Sequence, residues 1–229
     1  MLEVIRQGQI GGGESHLADL IELMDRTDYE PICLSFTDGE MITRLRGIGV
    51  KCFIVETTRP FNISIQRRII QIIKEENITI IHAHGTRAAS NVLYPSIRLG
   101  LPLVYTVHGW SFHKDQGKIT YTLRKWSEKL ICRYATRVIC VSEGSAETGR
   151  KAFRLTDPIV IKNEQNGLIV PFSSPDKISD AILCLLTDEN LRNRCRQNVA
   201  SLVSVQFNAQ RVADAVVDIY KNVPYKDKY

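Results

Sequence analysis

Leu2-Glu3-Val4-Ile5-Arg6-Gln7-Gly8-Gln9-Ile10-Gly11-Gly12-Gly13-Glu14-Ser15-His16 passes from a short apolar run through three consecutive glycines into a segment patterned as a helix. Leu2, Val4 and Ile5 suit a buried parallel strand. Leu17, Leu20, Ile21 and Met24 then recur at the three- and four-residue spacing of a helix packed on a sheet. Glycines at such a junction let backbone N–H groups approach an anion closely, and the helix N-terminus adds partial positive charge. A phosphorylated ligand is one reading of the loop; a strand-to-helix turn without a ligand is the other. The stretch follows G-x-G-x-x but puts His16 where a dinucleotide fingerprint has its third glycine.

The same alternation continues outward from this loop. Strand candidates are 2–5, 31–36, 51–55, 79–82, 103–107, 137–141 and 159–161, with helix candidates near 14–26, 39–47, 62–76, 86–99, 118–135 and 143–153. Strands separated by helices mean βαβ units, and hence an α/β, Rossmann-like, doubly wound parallel sheet. Ligands of such sheets bind beyond the carboxyl ends of the strands, which points to the loops 6–13, 37–39, 83–86 and 108–117.

At 229 residues and 44% apolar content the chain has enough material for a substantial core. Its six cysteines, at 33, 52, 132, 140, 184 and 195, form no C-x-x-C pair and lie mostly in apolar runs, as reduced, buried cysteines of a cytosolic protein do. No signal peptide is expected before Leu2 and no apolar run approaches membrane-spanning length, so the expectation is a cytoplasmic protein, at most peripheral to a membrane. The net charge of +5 resides in residues 1–163, because 164–229 carry eight basic and eight acidic residues. A basic first region suits an anionic partner.

After residue 163 the pattern changes. Asn166-Gly167-Leu168-Ile169-Val170-Pro171 reads as a turn and a very short strand, followed by helical segments near 175–187, 189–204 and 208–222. This is too little for a second independent α/β domain, which usually takes roughly 100 residues or more. The expected organisation is a Rossmann-like domain over 1–163 and a mainly helical remnant over 164–229.

Read together, the motifs resemble those of glycosyltransferase family 4, the retaining enzymes with two facing Rossmann-like domains (the GT-B fold). They are the opening strand with Gly11-Gly12-Gly13-Glu14-Ser15-His16, then Ile80-Ile81-His82-Ala83-His84-Gly85, Thr106-Val107-His108-Gly109, Val138-Ile139-Cys140-Val141-Ser142-Glu143 and Asn166–Pro171. In the family, a strand like Val160-Ile161-Lys162-Asn163 opens the donor-binding domain and a segment like Asn166–Pro171 comes near its end. Here the two are almost adjacent. The basic residues for the donor diphosphate and the E-x7-E glutamate pair, which the family carries between them, have no counterpart in that interval. The resemblance therefore implies a glycosyltransferase lacking most of its nucleotide-sugar domain.

The resemblance also implies roles. His108 matches a strand-end histidine that contacts the transferred sugar. Gly11, Gly12, Gly13, Glu14 and His16 would form the loop facing donor phosphates and acceptor, and His84, Gly85, Thr86 and Arg87 would border the acceptor. The implied reaction moves a hexose from a nucleotide diphosphate sugar to the hydroxyl of a sugar or lipid-linked acceptor, with retention, and demands no metal or other cofactor. A non-catalytic acceptor-binding or scaffold module is the alternative. So is, more remotely, a dinucleotide-binding oxidoreductase using Asp38, a residue that reads equally well as part of a turn. The join at 163–164 is expected to expose apolar surface and promote self-association.

Three further features each carry two readings. His82 and His84 share one face of their strand; they are either hydrogen-bonded to backbone or, with His113 or Asp115, part of a metal site. The segment 118–137 sets a basic ridge (Lys125, Lys129, Arg133, Arg137) beside an apolar stripe of Ile119, Leu123, Trp126, Leu130 and Tyr134. The stripe suits a core-packed helix; the pair suits attachment to an anionic membrane surface. Nucleic acid is not indicated, because aromatics are not interleaved with the basic residues in a stacking pattern. Ser142 lacks a nucleophile elbow and reads as a helix N-cap.

Overall fold

The computed structural model describes residues 1–155 except 25, 27, 28 and 114, then the strand at 159–160, isolated positions between 179 and 193, and residues 209–224. The chain runs β1 (Leu2–Ile5), α1 (Gly12–Leu23), β2 (Ile32–Ser35), α2 (Glu40–Gly47), β3 (Lys51–Ile54), a 3-10 turn (Ile63–Ile65), α3 (Gln66–Glu75), β4 (Ile81–His84) and α4 (Thr86–Leu99). It continues through β5 (Leu103–Val107), α5 (Lys118–Tyr134), β6 (Arg137–Cys140), α6 (Glu143–Phe153), β7 (Ile159–Val160) and α7 (Ala209–Lys221). All strands pair in parallel, in the order β3-β2-β1-β4-β5-β6-β7. This is the α/β doubly wound sheet expected. The order reverses at β1 and β4, where such sheets open a crevice at their carboxyl edge.

Strand alternation decides which face each side chain meets. Leu2 and Val4, Ile81 and Ala83, and Leu103, Tyr105 and Val107 point into one core with residues of α3, α4, α5 and α6. Ile5 and Cys33 point to the other face, under Leu17, Ala18 and Ile21 of α1 and Met41, Ile42 and Leu45 of α2. On that same side Val104 and Ile139 lie under Ala213, Val216, Ile219 and Tyr220 of α7, which also packs on Leu20 and Met24. The last helix thus returns to the first-domain sheet. Fully burying one such aliphatic side chain is worth about 1.5–3 kcal/mol, so this seam is a substantial part of the fold's stability.

The strand bounds expected at 79–82 shift. β4 begins at Ile81, because the ladder opposite Leu2 and Leu103 starts there, while the carbonyl of Ile80 accepts from Leu2 N. His84 is consequently inside the strand, not in a loop after it. At the glycines, α1 begins at Gly12 with Gly11 as N-cap, so two of the three are helical.

A second correction concerns α5. Four residues of its expected core stripe are exposed, Ile119 79%, Leu123 63%, Trp126 61% and Tyr134 49%, and only Leu130 packs, half-buried, against the core. The buried face is instead that of Glu128 and Ile131, flanked by half-buried Tyr121 and Cys132. Glu128 fixes this rotation, since its carboxylate takes three hydrogen bonds from the domain beneath (described below). The cysteines at 33 and 140 are buried, those at 52 and 132 half-buried, and all four are free thiols. No helix among the described residues is long and apolar enough to cross a membrane. The join at 163–164, Asn166–Pro171, and the cysteines at 184 and 195 lie outside the described residues, as do most of the segments 175–187 and 189–204.

Candidate functional site

A cleft of about 540 Å³ opens at the carboxyl ends of β1, β4 and β5. Its walls include Arg6, Gly13, Glu14, His84, Gly85, Thr86, Arg87 and His108, with Ser111 and His113 from the loop after β5 and Arg124 and Ser127 from α5. Each wall has a local cause. α1 begins at Gly12, so Gly13 lies in its first turn; a Cβ there would meet the His108 ring at 3.5 Å. Gly85 caps α4 with φ +79° and ψ 164°, a conformation that favours glycine strongly, and so turns the chain from β4 into the helix carrying Thr86 and Arg87.

Behind the cleft, strand register places three polar side chains side by side on the face under α1 and α7. Glu3 pairs with His82 across β1 and β4, and His84 pairs with Thr106 across β4 and β5. Glu3 and His82 are fully buried and His84 is nearly so. Buried polar groups require partners, and here they supply one another. His84 Nε2 lies 2.9 Å from Glu3 Oε2, and His82 Nδ1 lies 3.1 Å from the same oxygen. The Tyr220 hydroxyl donates to Glu3 Oε1 at 2.8 Å and lies 2.6 Å from His82 Nδ1. His82 Nε2 meets Thr106 Oγ1 at 2.8 Å, and His84 Nδ1 meets His108 Nε2 at 3.3 Å. His16 on α1 closes the group, its ring centroid 5.3 Å from that of His108 and 5.8 Å from that of His84.

Burial sets the charge of this cluster. It lowers His84 to about 4, assisted by the neighbouring His82 and opposed by Glu3. Burial likewise lowers His108 to about 3 and His16 to about 4, with His84 adding to both shifts. Burial alone would raise Glu3, but its interactions with His82 and His84 outweigh that and hold the carboxyl well below the usual range. At neutral pH the site is therefore one buried carboxylate beside neutral rings at 16, 84 and 108. One atom each from Glu3, His82 and His84 lies within 4.8 Å of the others, a grouping that suits a metal ion. Each of those atoms already ends in a hydrogen bond to another member or to Tyr220, so the network accounts for the cluster without one.

The opposite wall rests on a second buried carboxylate. Glu128 accepts from Thr86 Oγ1 at 2.7 Å, from Tyr105 Oη at 2.9 Å and from the backbone N–H of Ser111 at 2.9 Å. Burial and this carboxylate push the Tyr105 phenol well above its ordinary value, so it remains a donor. The first turn of α4, the loop after β5 and α5 are thereby joined at one point. Above them, Arg87 is lowered by burial and by the like charge of Arg6. Neither guanidinium pairs with a carboxylate among the described residues. Two such cations in one cleft, with Arg124 also lining it, suit an anionic ligand.

Of the residues singled out from sequence, Gly13, Glu14, His84, Gly85, Thr86, Arg87 and His108 meet in the cleft wall. His16 lies edge-on to His108, while Gly11 serves as the α1 cap and Gly12 faces open space. His82 and His84 bond to side chains and not to backbone as expected; the third member of their group is Glu3, and His113 lines the cleft instead. Asp38 accepts from the N–H of Gly39 at 2.8 Å, which is the turn alternative. Ser142 is an N-cap, accepting from Ser145 N at 3.2 Å. Glu3, Arg6, Arg124, Glu128 and Tyr220 were missed. Glu3 alone left a signal, a charge inside an otherwise apolar four-residue central strand.

Comparison with known proteins agrees with this layout. The family profile described as Glycosyltransferase Family 4 matches residues 10–163. A curated relative from Escherichia coli, UDP-Gal:alpha-D-GlcNAc-diphosphoundecaprenol alpha-1,3-galactosyltransferase, is 28% identical over 101 residues, which cover 44% of this chain and 26% of the relative. Among solved structures, Anabaena HepE in complex with UDP-glucose superposes with a TM-score of 0.54 at 22% identity, over 82% of this chain and 50% of that one. A glycosyltransferase from Rickettsia africae superposes with a TM-score of 0.56 at 16% identity, over 82% and 50%. The chain spans about half the length of these solved structures and matches about a quarter of the curated relative.

Proposed function

The chain belongs to glycosyltransferase family 4, and from that premise we propose that its cleft is the acceptor side of a sugar-transfer site. The donor is a uridine diphosphate hexose and the acceptor a lipid-linked diphosphate sugar, the substrate classes named for the Escherichia coli relative and the HepE complex. Transfer proceeds with retention. The observation that carries the reading is the convergence on one cleft of the α1 and α4 first turns, His108, and the paired Arg6 and Arg87.

Diphosphate groups are stabilised by amide donors and cations placed in advance, here the first turn of α1 at Gly13 and the two guanidiniums. His108, neutral down to about 3, is unsuited to donate a proton at neutral pH; it serves as a hydrogen-bonding partner for a sugar hydroxyl. Between Asn163 and Asn166 there are neither the donor-domain cations nor the glutamate pair that the family resemblance implies. That favours an acceptor-binding module, impaired in transfer on its own, over a complete enzyme. Membership of this family replaces the oxidoreductase alternative.

The acceptor's lipid has a place to rest. Arg124 and Ser127 of α5 line the cleft, and Leu123 and Trp126 beside them are exposed together with Lys129 and Arg133. A basic helix presenting an aromatic and aliphatic face suits the surface of an anionic membrane. We place the protein peripherally on the cytoplasmic face of such a membrane.

Calorimetric titration with UDP-galactose, UDP-glucose and a short-chain prenyl diphosphate sugar tests the reading. The acceptor analogue is expected to bind saturably, and Arg87→Ala to weaken it at least about tenfold, the loss of a charge-assisted contact. Donors are expected to bind weakly. Absence of saturable binding by any of the three would defeat the reading.

A further inference from the structure

The proton positions in the buried cluster follow from its distances. We propose that Glu3 is a positioning residue: its carboxylate fixes the tautomer of His84 and, through His84, that of His108, with Tyr220 of α7 holding the carboxylate in place. Its meaning for transfer rests on the proposed role of His108; the proton arrangement itself stands on geometry.

An ionised carboxylate only accepts. Glu3 Oε2 at 2.9 Å from His84 Nε2 therefore requires that nitrogen to carry the hydrogen. Neutral His84 then has a lone pair on Nδ1, and the contact at 3.3 Å requires His108 Nε2 to donate. His108 is left with its lone pair on Nδ1. The other carboxylate oxygen accepts from Tyr220, whose ring is wholly buried and whose hydroxyl thus cannot be replaced by bulk water. His82 Nδ1 faces both Tyr220 Oη and Glu3 Oε2. Two donors, Tyr220 Oη and His84 Nε2, bond to the carboxylate, and the direction of the bonds from His84 toward the cleft follows from it. A metal-ligating histidine is oriented in the same manner by the partner of its other nitrogen; here the oriented group is a second histidine.

The consequence is a site whose buried support includes a helix more than two hundred residues from β1 in sequence. A ligand group meeting His108 Nδ1 must donate, as a sugar hydroxyl does. The opposite tautomer would present an N–H there.

Long-range proton–nitrogen NMR of the whole 15N-labelled chain reads the tautomer of each ring, since protonated and unprotonated ring nitrogens are well separated. In the native protein at pH 7, both His84 and His108 are expected as neutral Nε2–H forms; the Nδ1–H form or the cation at either ring would overturn the proposal. In Glu3→Ala, both rings are expected to become tautomer mixtures together, and a folded variant with His108 unchanged would overturn it. Tyr220→Phe keeps the carboxylate and is expected to keep both tautomers. Mixtures at both rings in that variant would assign control to helix docking and overturn the role of Glu3. The native and Tyr220→Phe spectra decide the matter even if Glu3→Ala fails to fold. None of these spectra depends on sugar-nucleotide or acceptor binding, so this proposal and the functional one fail separately.

Discussion

The glycines of this chain divide by what surrounds each Cα. A Cβ at Gly12 meets nothing within 4 Å, whereas one at Gly39 would overlap the backbone of Gly8. Gly85 has room but holds φ +79°. Gly12→Ala is expected to leave stability unchanged or raise it by up to about 1 kcal/mol through helix propensity. Gly85→Ala should cost about 1–3 kcal/mol in strain, and Gly39→Ala should be the most damaging. Urea midpoints of the three variants check this order. The histidines give a pH dependence. His84 and His16 are lowered from 6.5 to about 4 and His108 to about 3, so from pH 6.5 downward the unfolded chain binds protons that the folded one refuses. Stability is then full above pH 6.5 and falls toward pH 4, by about 1.4 kcal/mol per pH unit for each ring taking part, half-buried His16 contributing least. The depressed Glu3 acts in the same direction, its contribution being present above 4.5 and lost as the pH falls. A urea midpoint that stays flat between pH 7 and 4.5 would contradict this.

Among the elements, α5 separates stability from surface function. Its inward residue Glu128 satisfies three donors, so Glu128→Ala leaves them stranded at about 1–3 kcal/mol for each buried group. Its outward residue Trp126 is 61% exposed, and Trp126→Ala is expected to change stability by less than about 0.5 kcal/mol. Co-sedimentation with vesicles rich in phosphatidylglycerol should nevertheless fall markedly in Trp126→Ala and in Lys125→Glu/Lys129→Glu. Indifference of the native protein to lipid charge at low salt would defeat the membrane assignment. Pairing of two copies through the same face would show instead as concentration-dependent mass in light scattering. The apolar stripe at 119, 123, 126, 130 and 134 is plain in the sequence, but its periodicity is compatible with either side of the helix. What turned all of it but Leu130 outward is a carboxylate at 128, a residue type that gives no sign of burial until its three partners are known.

For the whole molecule, α7 both covers part of the sheet and anchors the buried cluster. It covers Val104 and Ile139 of the sheet, and its Tyr220 reaches the one carboxylate that orders the histidines. Tyr220→Phe keeps the packing and removes one hydroxyl between Glu3 and His82, an expected loss of about 1–3 kcal/mol. Removing 209–229 would expose that apolar seam as well, and the shortened chain is expected to aggregate or unfold. Hydrogen exchange of the β1 and β4 amides, slow in the full chain and fast in the shortened one, is the measurement.

What the sequence determined by itself is whatever depends on neighbours along the chain. Apolar alternation and helical spacing specify the βαβ units, and the parallel, doubly wound sheet follows from them. The glycine loop, His84-Gly85-Thr86-Arg87 and His108 each sit at a strand end or on the strand-to-helix turn beside it, so placing the strands places the cleft. What only the tertiary structure decided is which distant groups share protons and which helix face is covered. Glu3, His84 and Tyr220 are brought together by parallel register and by the docking of α7, contacts separated by up to 217 residues. Burial then sets their charges, because desolvation acts on a group only when the whole fold has closed over it.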